Sequence, residues 1–524
     1  MSSETKFKVI GKSPVRHDGT DKVTGRALYG ADMNLPGMLY GKVLRSPHPH
    51  ARIKSIDISK LKDHPDCKAI VTSNDLAPSP EVTKEPLYGQ VRITNVLAAD
   101  KVLYKGHPIL AIASDSPDAA EELLSLVDIE FEVLKSSSNV EEAISKDSDI
   151  IHENWEKTKD AYDVNPNGTN IGTVEVYKLG DATEALKKSE HIIEREFRTK
   201  TVHQGYIEPT NGTAWWRPND RLTIWCSSQG HFGIRDSVAM VLGIPSSQIT
   251  VIPMEIGGGF GGKLSAYLEP LAAILSKKSG LPVKMTMSRS EVLESTGPTS
   301  GSYQKITMGY NSKGEINAAK AIMMLEAGAF PGAPVSGAAS AIFSPYEIND
   351  VHIDGYDIVT NKPKTTAYRA PGSPISMFAV ESMINEIAEI VGVDPVELRI
   401  INAAKKGTRR ADGVINGTIG AVDVMESIRN HPHYSMPLPE GEFVGRGISL
   451  GFCRNNAGVS SVVSNMLTDG SFSLTEGSVD IGGSRTAVAQ QFAEVLEIPV
   501  ENVIPQIGDT DTIGYTSVTG GSGV

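Results

Sequence analysis

Residues 255–263, EIGGGFGGK, constrain this chain more than any other segment, because five glycines surround a single aromatic residue, Phe260. Such a run allows the backbone to lie very close to whatever faces it. Gly257, Gly259 and Gly262 satisfy the dinucleotide pattern G-x-G-x-x-G, and the segment nearly satisfies the phosphate loop G-x-x-x-x-G-K-[ST]. The segment therefore predicts a nucleotide site, a cradle for another large ligand, or only a tight bend.

Neither nucleotide pattern is complete. A phosphate loop needs a hydroxyl directly after the lysine to hold magnesium, and Leu264 stands there. A dinucleotide fold needs an acidic residue at a strand end about 20 residues later, where this sequence has Met-Ser-Arg at 287–289. A cradle remains, in which backbone N–H groups and the Phe260 ring face a large ligand. A tight, close-packed bend is the alternative.

The composition is that of an ordinary globular protein, with 40% hydrophobic and 22% charged residues. A chain of 524 residues is too long for one core, so two to four domains are expected. The net charge of -13 disfavours binding to nucleic acid or to an anionic membrane. The sequence has no apolar run that could span a membrane and no signal-peptide pattern at its start, which predicts a cytoplasmic protein.

The three cysteines, Cys67, Cys226 and Cys453, lie too far apart in sequence to form an iron–sulfur cluster site. Each is expected to be a small buried hydrophobic residue in a reducing compartment. Any cluster that the function requires would therefore belong to another subunit.

Short β-rich runs alternate with helical patterns along the whole chain. Residues 221–228 and 249–256 are predicted strands, and the helix between them is predicted to end at Gly243. A hairpin is predicted to turn at 311–314, and residues 378–393 have clear helical periodicity. No internal repeat with a fixed period is visible.

Three segments together resemble the xanthine dehydrogenase and aldehyde oxidase family of molybdenum hydroxylases: SSQGHFGIRDSVAMVLGIPSSQITVIPMEIGGGFGGK, TTAYRAPGSPISMFAVESMINEIAEIVGVDPVELRIIN and GSVDIGGSRTAVAQQFAEVLEIPVENV. The N-terminal GTDKVTGRALYGADMNLPGMLYGKVLRSPHPHARI is similar to the hammerhead domain of that family. The resemblance implies an α+β fold, with an N-terminal α/β hammerhead domain followed by mixed α/β molybdopterin-binding domains, the last one incomplete. The expected boundaries are 1–140 for the hammerhead domain, 141–169 for a linker, 170–405 for the first molybdopterin-binding domain, 406–445 for a connector and 446–524 for the start of the second.

The resemblance also implies which residues bind a molybdenum–molybdopterin cofactor in a dinucleotide form. Gln229 matches a glutamine that hydrogen-bonds an oxygen on molybdenum, although a polar cap at a strand end is the alternative. Arg369 matches an arginine whose main chain touches the molybdenum site, with a surface salt bridge as the alternative. The remaining matches are loop residues expected to contact the pterin: Gly258, Gly259, Phe260 and Gly261; Gly482, Gly483 and Ser484; Gly520, Gly521 and Ser522.

Four positions bear on the substrate: Leu264, Gly337, Ala370 and Pro371. Purine-oxidising members of the family have a glutamate, an arginine and a phenylalanine at the positions matching Leu264, Gly337 and Pro371. Carbon monoxide dehydrogenases have a cysteine at the position of Ala370. Purine oxidation is therefore disfavoured, because polar substrate groups left without partners are costly. Carbon monoxide oxidation is disfavoured because that cysteine is absent. An aldehyde or an N-heteroaromatic compound is the expected substrate.

The family's catalytic base, a glutamate in a G-x-G-E segment, has no match in this sequence. We therefore expect either a fragment or one half of a molybdopterin unit split over two subunits, inactive alone. The expected partners are a [2Fe–2S] subunit, an FAD subunit and a second molybdopterin-domain subunit. If the chain did act alone, Glu208 or Glu269 would have to replace the base. The rival functions are a nucleotide-dependent kinase or ATPase and a non-catalytic assembly subunit.

Overall fold

The computed structural model describes residues 7–77, 93–153, 170–454, 458–521 and 523–524. Part of the predicted linker, 154–169, and the predicted site residue Ser522 lie outside the described residues. The chain forms two compact units. The first unit contains residues 1–134, 203–297 and 455–524, and the second contains 135–202 and 298–454. The predicted domain boundaries stay a prediction.

Eighteen strands are described: β1 Leu39–Arg45, β2 Ala51–Asp57, β3 Ala69–Thr72, β4 Lys101–Val102, β5 Pro108–Ser114, β6 Asp128–Val133, β7 Ile171–Leu179, β8 His191–Thr199, β9 Asn211–Trp216, β10 Leu222–Cys226, β11 Ile249–Pro253, β12 Val283–Thr286, β13 Ser302–Tyr310, β14 Ile316–Gly328, β15 Asp350–Val359, β16 Val462–Met466, β17 Phe472–Glu476 and β18 Val503–Ile507. The α-helices are Gly19–Thr24, Ser59–Lys62, Pro117–Leu124, Val140–Ala143, Ala182–Lys188, His231–Leu242, Glu269–Ser279, Arg289–Ser295, Val335–Ala341, Ser373–Val391, Pro395–Asn402, Ala421–Arg429, Pro432–Ser435 and Ser484–Leu496.

The first unit is built on a seven-stranded mixed sheet in the order β11-β10-β9-β12-β1-β5-β3. Every residue of β10 is buried, as expected for a central strand covered on both faces. The helix His231–Leu242 connects β10 to its parallel neighbour β11 and ends at Gly243, whose φ of +65° favours glycine. Both predicted strands and the predicted end of this helix are therefore confirmed.

Two three-stranded sheets complete the first unit, in the orders β4-β2-β6 and β16-β17-β18. In the latter, β17 pairs antiparallel with β16 and parallel with β18. The helix Ser484–Leu496 joins β17 to β18 and buries Ala489 and Ala493 against Leu474 and Val503. This small sheet thus has its own apolar core.

The structure contains a two-copy repeat, which is not a repeat with a fixed period. The elements β9, β10, His231–Leu242 and β11 recur in the same order and pairing as β16, β17, Ser484–Leu496 and β18. After each helix come a left-handed residue, a proline, a 3-10 turn and a five-residue strand. The sequence signal is short, VLGIP at 241–245 against VLEIP at 495–499, and a search for a fixed period misses it because the unit occurs only twice.

The second unit contains a five-stranded sheet in the order β7-β15-β14-β13-β8. The hairpin of β13 and β14 turns at Asn311–Gly314, as predicted. The predicted helix spans Ser373–Val391 and buries Val380, Met383 and Ile387 in the core beside this sheet. The fully buried Arg399 donates to Glu381 on that helix, so the charge is paired within the core.

The predicted connector, 406–445, contains the helix Ala421–Arg429, which buries Met425. One smaller expectation, on the cysteines, needs correction. Cys226 is buried as expected, but Cys67 is only half-buried and Cys453 is exposed. An exposed cysteine at 453 could not be inferred from the sequence, because cysteine is among the residue types most often buried.

Candidate functional site

The predicted cofactor residues of the first unit all follow the carboxyl ends of two parallel strand pairs, β10–β11 and β17–β18. Gln229 follows β10, the glycine loop 257–263 follows β11, Gly482–Ser484 follow β17, and Gly520 and Gly521 follow β18. Ligands bind at this edge of parallel strands because loops and helix N-termini meet there. The internal repeat therefore places the predicted cofactor loops after equivalent strands of its two copies.

The glycine loop 257–263 has an unusual backbone. Gly258 and Gly261 have φ values of +91° and +104°, and Phe260 has a φ of +55°. A non-glycine residue in the left-handed region is strained, and such residues cluster at functional sites. The Phe260 side chain is 52% exposed, although it is a large aromatic group. The loop thus presents an apolar ring outward, as a cradle for a ligand would.

Gln229 lies beneath this loop and is 3% exposed. Its Oε1 accepts from the N–H of Gly261 at 2.7 Å and, more weakly, from that of Lys263 at 3.4 Å. Its Nε2 donates to the carbonyl of Thr519 at 3.1 Å. Its backbone also bonds both segments, donating to the carbonyl of Lys263 and accepting from the N–H of Thr519. One residue therefore joins the glycine loop to the segment that carries Gly520 and Gly521.

The predicted glycines differ in what a side chain at each position would contact. A Cβ at Gly259 would lie 2.6 Å from Gln229 Oε1, so this glycine makes room for the protein's own side chain. A Cβ at Gly482 or at Gly520 would meet nothing within 4 Å. The last two glycines thus border open space, where a ligand can approach the backbone.

The loop Gly482–Ser484 is organised by a residue that the sequence analysis missed. Asp480 Oδ1 accepts from the N–H of Gly482 at 2.8 Å, of Gly483 at 2.6 Å and of Ser484 at 2.9 Å. Burial alone would raise the pKa of Asp480, but these bonds and the hydrogen bond from Arg485 hold that pKa well below its usual range. The signal for this role is an aspartate two residues before a Gly-Gly pair, where a carboxylate can bond the following N–H groups.

Asp480 belongs to an ion network of three cations and three carboxylates, in which Asp18 and Asp480 are buried. Arg485 contacts Glu255 at 2.5 Å and Asp480 at 2.8 Å, which connects the end of β11 to the start of the helix Ser484–Leu496. Burial would raise the pKa of Asp18, but hydrogen bonds from Arg16 and Lys22 lower it to about 2. The network also includes Lys22–Glu255 at 3.0 Å. Its members are Arg16, Asp18, Lys22, Glu255, Asp480 and Arg485.

A second buried pair closes the base of the glycine loop. Lys263 Nζ lies 2.6 Å from Glu208 Oε2, and the two side chains are 2% and 9% exposed. Burial lowers the pKa of Lys263, an effect that the Glu208 carboxylate opposes. Lys263 also lies over the ring of Tyr206, 5.0 Å from its centre. The lysine of the glycine-rich motif therefore faces the protein interior, in a structural role.

Neither carboxylate suggested as a replacement base is placed for that task. Glu208 is paired with Lys263. Glu269 lies buried at the start of its helix, where its Oε2 accepts from the N–H groups of Tyr267 and Leu268. Burial raises the pKa of Glu269 to about 7. The residue is only 3% exposed, so its carboxyl group is not accessible to a substrate.

The predicted residues of the second unit form a compact loop of their own. Arg369 and Ala370 have φ values of +33° and +60°, two consecutive non-glycine residues outside the usual regions. Gly337, on the helix Val335–Ala341, faces this loop, because a Cβ there would lie 2.6 Å from the carbonyl oxygen of Pro371. Gly337, Ala370 and Pro371 thus lie together in this unit, whereas Leu264 is a half-buried residue of the first unit.

In the described ranges no group of three or more His, Cys, Asp or Glu side chains could hold a metal ion. No helix in the same part of the chain is long and apolar enough to cross a membrane.

Three models of known protein domains match this chain. Residues 24–135 match the aldehyde oxidase and xanthine dehydrogenase a/b hammerhead domain, and residues 164–403 and 438–524 each match a molybdopterin cofactor-binding domain. The chain is 30% identical over 427 residues to the nicotinate dehydrogenase large molybdopterin subunit of Eubacterium barkeri, covering 81% of this chain and 96% of that subunit.

The chain belongs to the aldehyde oxidase and xanthine dehydrogenase family. Within this family it is a molybdopterin-binding subunit of a xanthine or aldehyde dehydrogenase-type oxidoreductase. Both the predicted family and the predicted fold class, a hammerhead domain followed by molybdopterin-binding domains, are confirmed.

Solved structures share the fold of this family member. The quinoline 2-oxidoreductase of Pseudomonas putida 86 superposes with a TM-score of 0.82 at 23% identity, over 97% of this chain and 67% of that chain. The aldehyde oxidoreductase of Desulfovibrio desulfuricans superposes with a TM-score of 0.84 at 22% identity, over 98% of this chain and 58% of that chain. The chain thus spans less than two thirds of the latter protein.

The residues present fit a molybdopterin cofactor. The glycine loop exposes Phe260 on a strained backbone, and the open positions at Gly482 and Gly520 leave the backbone accessible. Gln229 uses one donor of its Nε2 amide on Thr519, and an amide nitrogen has two, so one N–H is left for an oxygen of a ligand. Gln229 and Phe260 are therefore compatible with the contacts that the family resemblance implies for them.

Proposed function

We propose that this chain holds the molybdenum cofactor of an enzyme that hydroxylates an aldehyde or an N-heteroaromatic compound with oxygen derived from water. The observation that carries the proposal is Gln229, which joins the glycine loop and the Thr519 segment at the edge where ligands of parallel strands bind. When bound, the cofactor supplies the two-electron chemistry, and the chain supplies binding and orientation. Its proposed contacts are Gln229, Gly258–Gly261, Arg369, Gly482–Ser484 and Gly520–Ser522.

The residues at positions 264 and 337 support the substrate class. Gly337 packs against the Pro371 carbonyl, so a long charged side chain at 337 would require the loop to move. The residue at 264 is an aliphatic leucine. A purine, whose polar edge needs charged partners, would find none in the side chains at 264, 337 and 371, and each group left unpaired would cost about 1–3 kcal/mol. A less polar substrate has fewer groups to leave unpaired and so loses less binding free energy. This supports an aldehyde or an N-heteroaromatic compound.

Electrons must leave the cofactor through other redox groups. We propose [2Fe–2S] and FAD partner subunits for this role, and a dinucleotide form of the pterin. The relative from Eubacterium barkeri is named as a large molybdopterin subunit, which supports assembly with other chains. The same name supports a cofactor shared with a second molybdopterin-domain subunit that carries the catalytic glutamate.

A structural observation favours that shared arrangement. In the first repeat the outer edge of β9 pairs antiparallel with β12. In the described ranges no strand covers the equivalent edge of β16, and all five β16 residues are exposed, Val462, Val463 and Met466 among them. An exposed apolar edge strand is a site for pairing with another strand. We propose that a companion molybdopterin-domain chain supplies it.

The test is to purify the chain with and without co-expressed iron–sulfur, FAD and companion subunits. Molybdenum and pterin nucleotide are measured, and turnover is followed with artificial electron acceptors on aldehydes, N-heteroaromatic acids and xanthine. We expect molybdenum in the complex and oxidation of an aldehyde or heteroaromatic acid. Efficient xanthine oxidation would contradict the substrate class, and steady turnover by the isolated chain would contradict the companion subunit. ATP with magnesium should leave the melting temperature unchanged, which separates this function from a kinase.

A further inference from the structure

Glu208 makes an unusual number of contacts to one loop. Its Oε2 accepts from the N–H of Gly257 at 2.7 Å and from Lys263 Nζ at 2.6 Å. These two residues are the first and last of the glycine loop. The backbone N–H of Glu208 also donates to the carbonyl of Gly257 at 3.1 Å. A single residue therefore fastens both ends of the loop.

The other carboxylate oxygen is also occupied. Glu208 Oε1 accepts from Ser227 Oγ at 2.6 Å and from Asn211 Nδ2 at 3.1 Å. Asn211 begins β9, and Ser227 directly follows β10. A carboxylate has about four acceptor positions, and four donors use them here. Glu208 has none left for a substrate proton, so its part in the reaction is indirect.

The backbone conformation of the loop between these two ends is strained and needs support from the surrounding residues. Gly258, Phe260 and Gly261 all have positive φ values, and the Phe260 ring stands out from the surface. A strained conformation persists only where the surroundings fix it. The buried Glu208–Lys263 pair fixes it from below, because removing either charge leaves the other buried without a partner.

We propose that Glu208 is a positioning residue that holds the glycine loop, and through it Phe260 and Gly261, in the shape that receives the cofactor. The expected effect on cofactor binding rests on the proposed function, whereas the effect on the loop can be tested in cofactor-free protein. Lys263 is its partner, and neither side chain touches the reacting atoms.

The experiment compares Glu208→Gln, Lys263→Met and the double variant with the unaltered chain, each purified with its co-expressed subunits. Hydrogen exchange of the peptide spanning 257–263 is measured in cofactor-free protein, and molybdenum per chain is measured in the complex. Asp115→Asn, which breaks the exposed Lys68–Asp115 pair, is the matched control. We expect Glu208→Gln to speed exchange of the loop amides and to reduce molybdenum occupancy, each at least ten-fold.

The double variant separates positioning from stability. Because it leaves no unpaired buried charge, its melting temperature should recover most of the loss seen in either single variant, while loop exchange stays fast and molybdenum stays low. Wild-type exchange of the loop in Glu208→Gln, or full molybdenum occupancy in the double variant, would overturn the proposal. If the unaltered complex holds no molybdenum at all, the proposed function fails, and the exchange data still decide whether Glu208 positions the loop.

Discussion

Gln229 and Thr519 are joined by two hydrogen bonds: the Thr519 N–H donates to the Gln229 carbonyl at 2.7 Å, and Gln229 Nε2 donates to the Thr519 carbonyl at 3.1 Å. Gln229 follows β10 in the first copy of the internal repeat, and Thr519 lies in the segment after β18, the last strand of the second copy. The side-chain bond requires an amide, because only the nitrogen can donate to a carbonyl. Residue 229 must therefore be a glutamine for the stability of this contact, in addition to its proposed role in cofactor binding.

Gln229→Glu should destabilise the first unit by about 1–3 kcal/mol, because a carboxylate oxygen would face the Thr519 carbonyl in a buried site. Urea unfolding of cofactor-free protein measures the change. Gln506→Glu, at an exposed position on β18, is the control and should stay within about 0.5 kcal/mol. Equal unfolding midpoints for the two variants would show that the bond between Gln229 and Thr519 contributes little.

Gly259→Ala should destabilise the protein even without cofactor. The new Cβ would lie 2.6 Å from Gln229 Oε1, and crowding of this kind in a packed interior costs about 1–3 kcal/mol. Thermal unfolding of the cofactor-free chain measures the effect. Gly417→Ala, where a Cβ meets nothing within 4 Å, is the control. A loss of stability seen only in molybdenum-loaded protein would mean that Gly259 serves the ligand alone.

Ala370→Gly should stabilise the second unit by about 1 kcal/mol, because alanine is strained at a φ of +60° and glycine is not. Elsewhere the same exchange lowers stability by about 0.4–1 kcal/mol through the greater freedom of the unfolded chain. Ala411→Gly, where φ is not in this region, is the control. If both variants lose stability equally in denaturant unfolding, the backbone at 370 is not strained.

Glu476→Gln should change the pH dependence of stability. Burial, and next the charge of Asp480, raise the pKa of Glu476 from 4.5 to about 7 in the folded protein. The folded state therefore binds a proton more tightly than the unfolded chain between these values, and Glu476 lowers stability as pH rises through that window. The variant should match the original protein near pH 4.5 and exceed it at pH 8, by about 1–3 kcal/mol.

Melting temperatures at several pH values measure this difference. Glu501→Gln, at an exposed position in the same unit, is the control for the loss of one carboxylate. A Glu476→Gln curve that runs parallel to that of the original protein would mean that the carboxyl is already ionised in the folded state.

Much of the fold follows from local sequence signals. The hairpin of β13 and β14 and the helix Ser373–Val391 have strong periodicity and clear turn residues, and both occur as predicted. The internal repeat could not be predicted in this way, because the pairing of strands that are distant in sequence does not affect local periodicity. Glu497, a non-glycine residue with a φ of +57°, occupies the position of Gly243 and hides the likeness further.

The candidate site was predictable only in part. The glycine loop, Gln229 and Arg369 carry recognisable motifs, whereas their supporting partners do not. Asp480 bonds the loop that directly follows it in sequence. Glu208 bonds residues of the glycine loop about 50 positions further along the chain. Nor could the sequence reveal that Lys263 points inward, since its direction depends on a buried carboxylate from another element.

The Asp480 carboxylate has a further consequence for what the loop Gly482–Ser484 can recognise. With three backbone N–H groups already bound to this resident anion, the loop cannot act as an anion receptor. What it can still present is carbonyl oxygens and the lone pairs of the Ser484 hydroxyl, whose proton is donated to Asp480 at 3.1 Å. A ligand that contacts this loop is therefore selected for its hydrogen-bond donors, and its acidic groups must find their partners elsewhere.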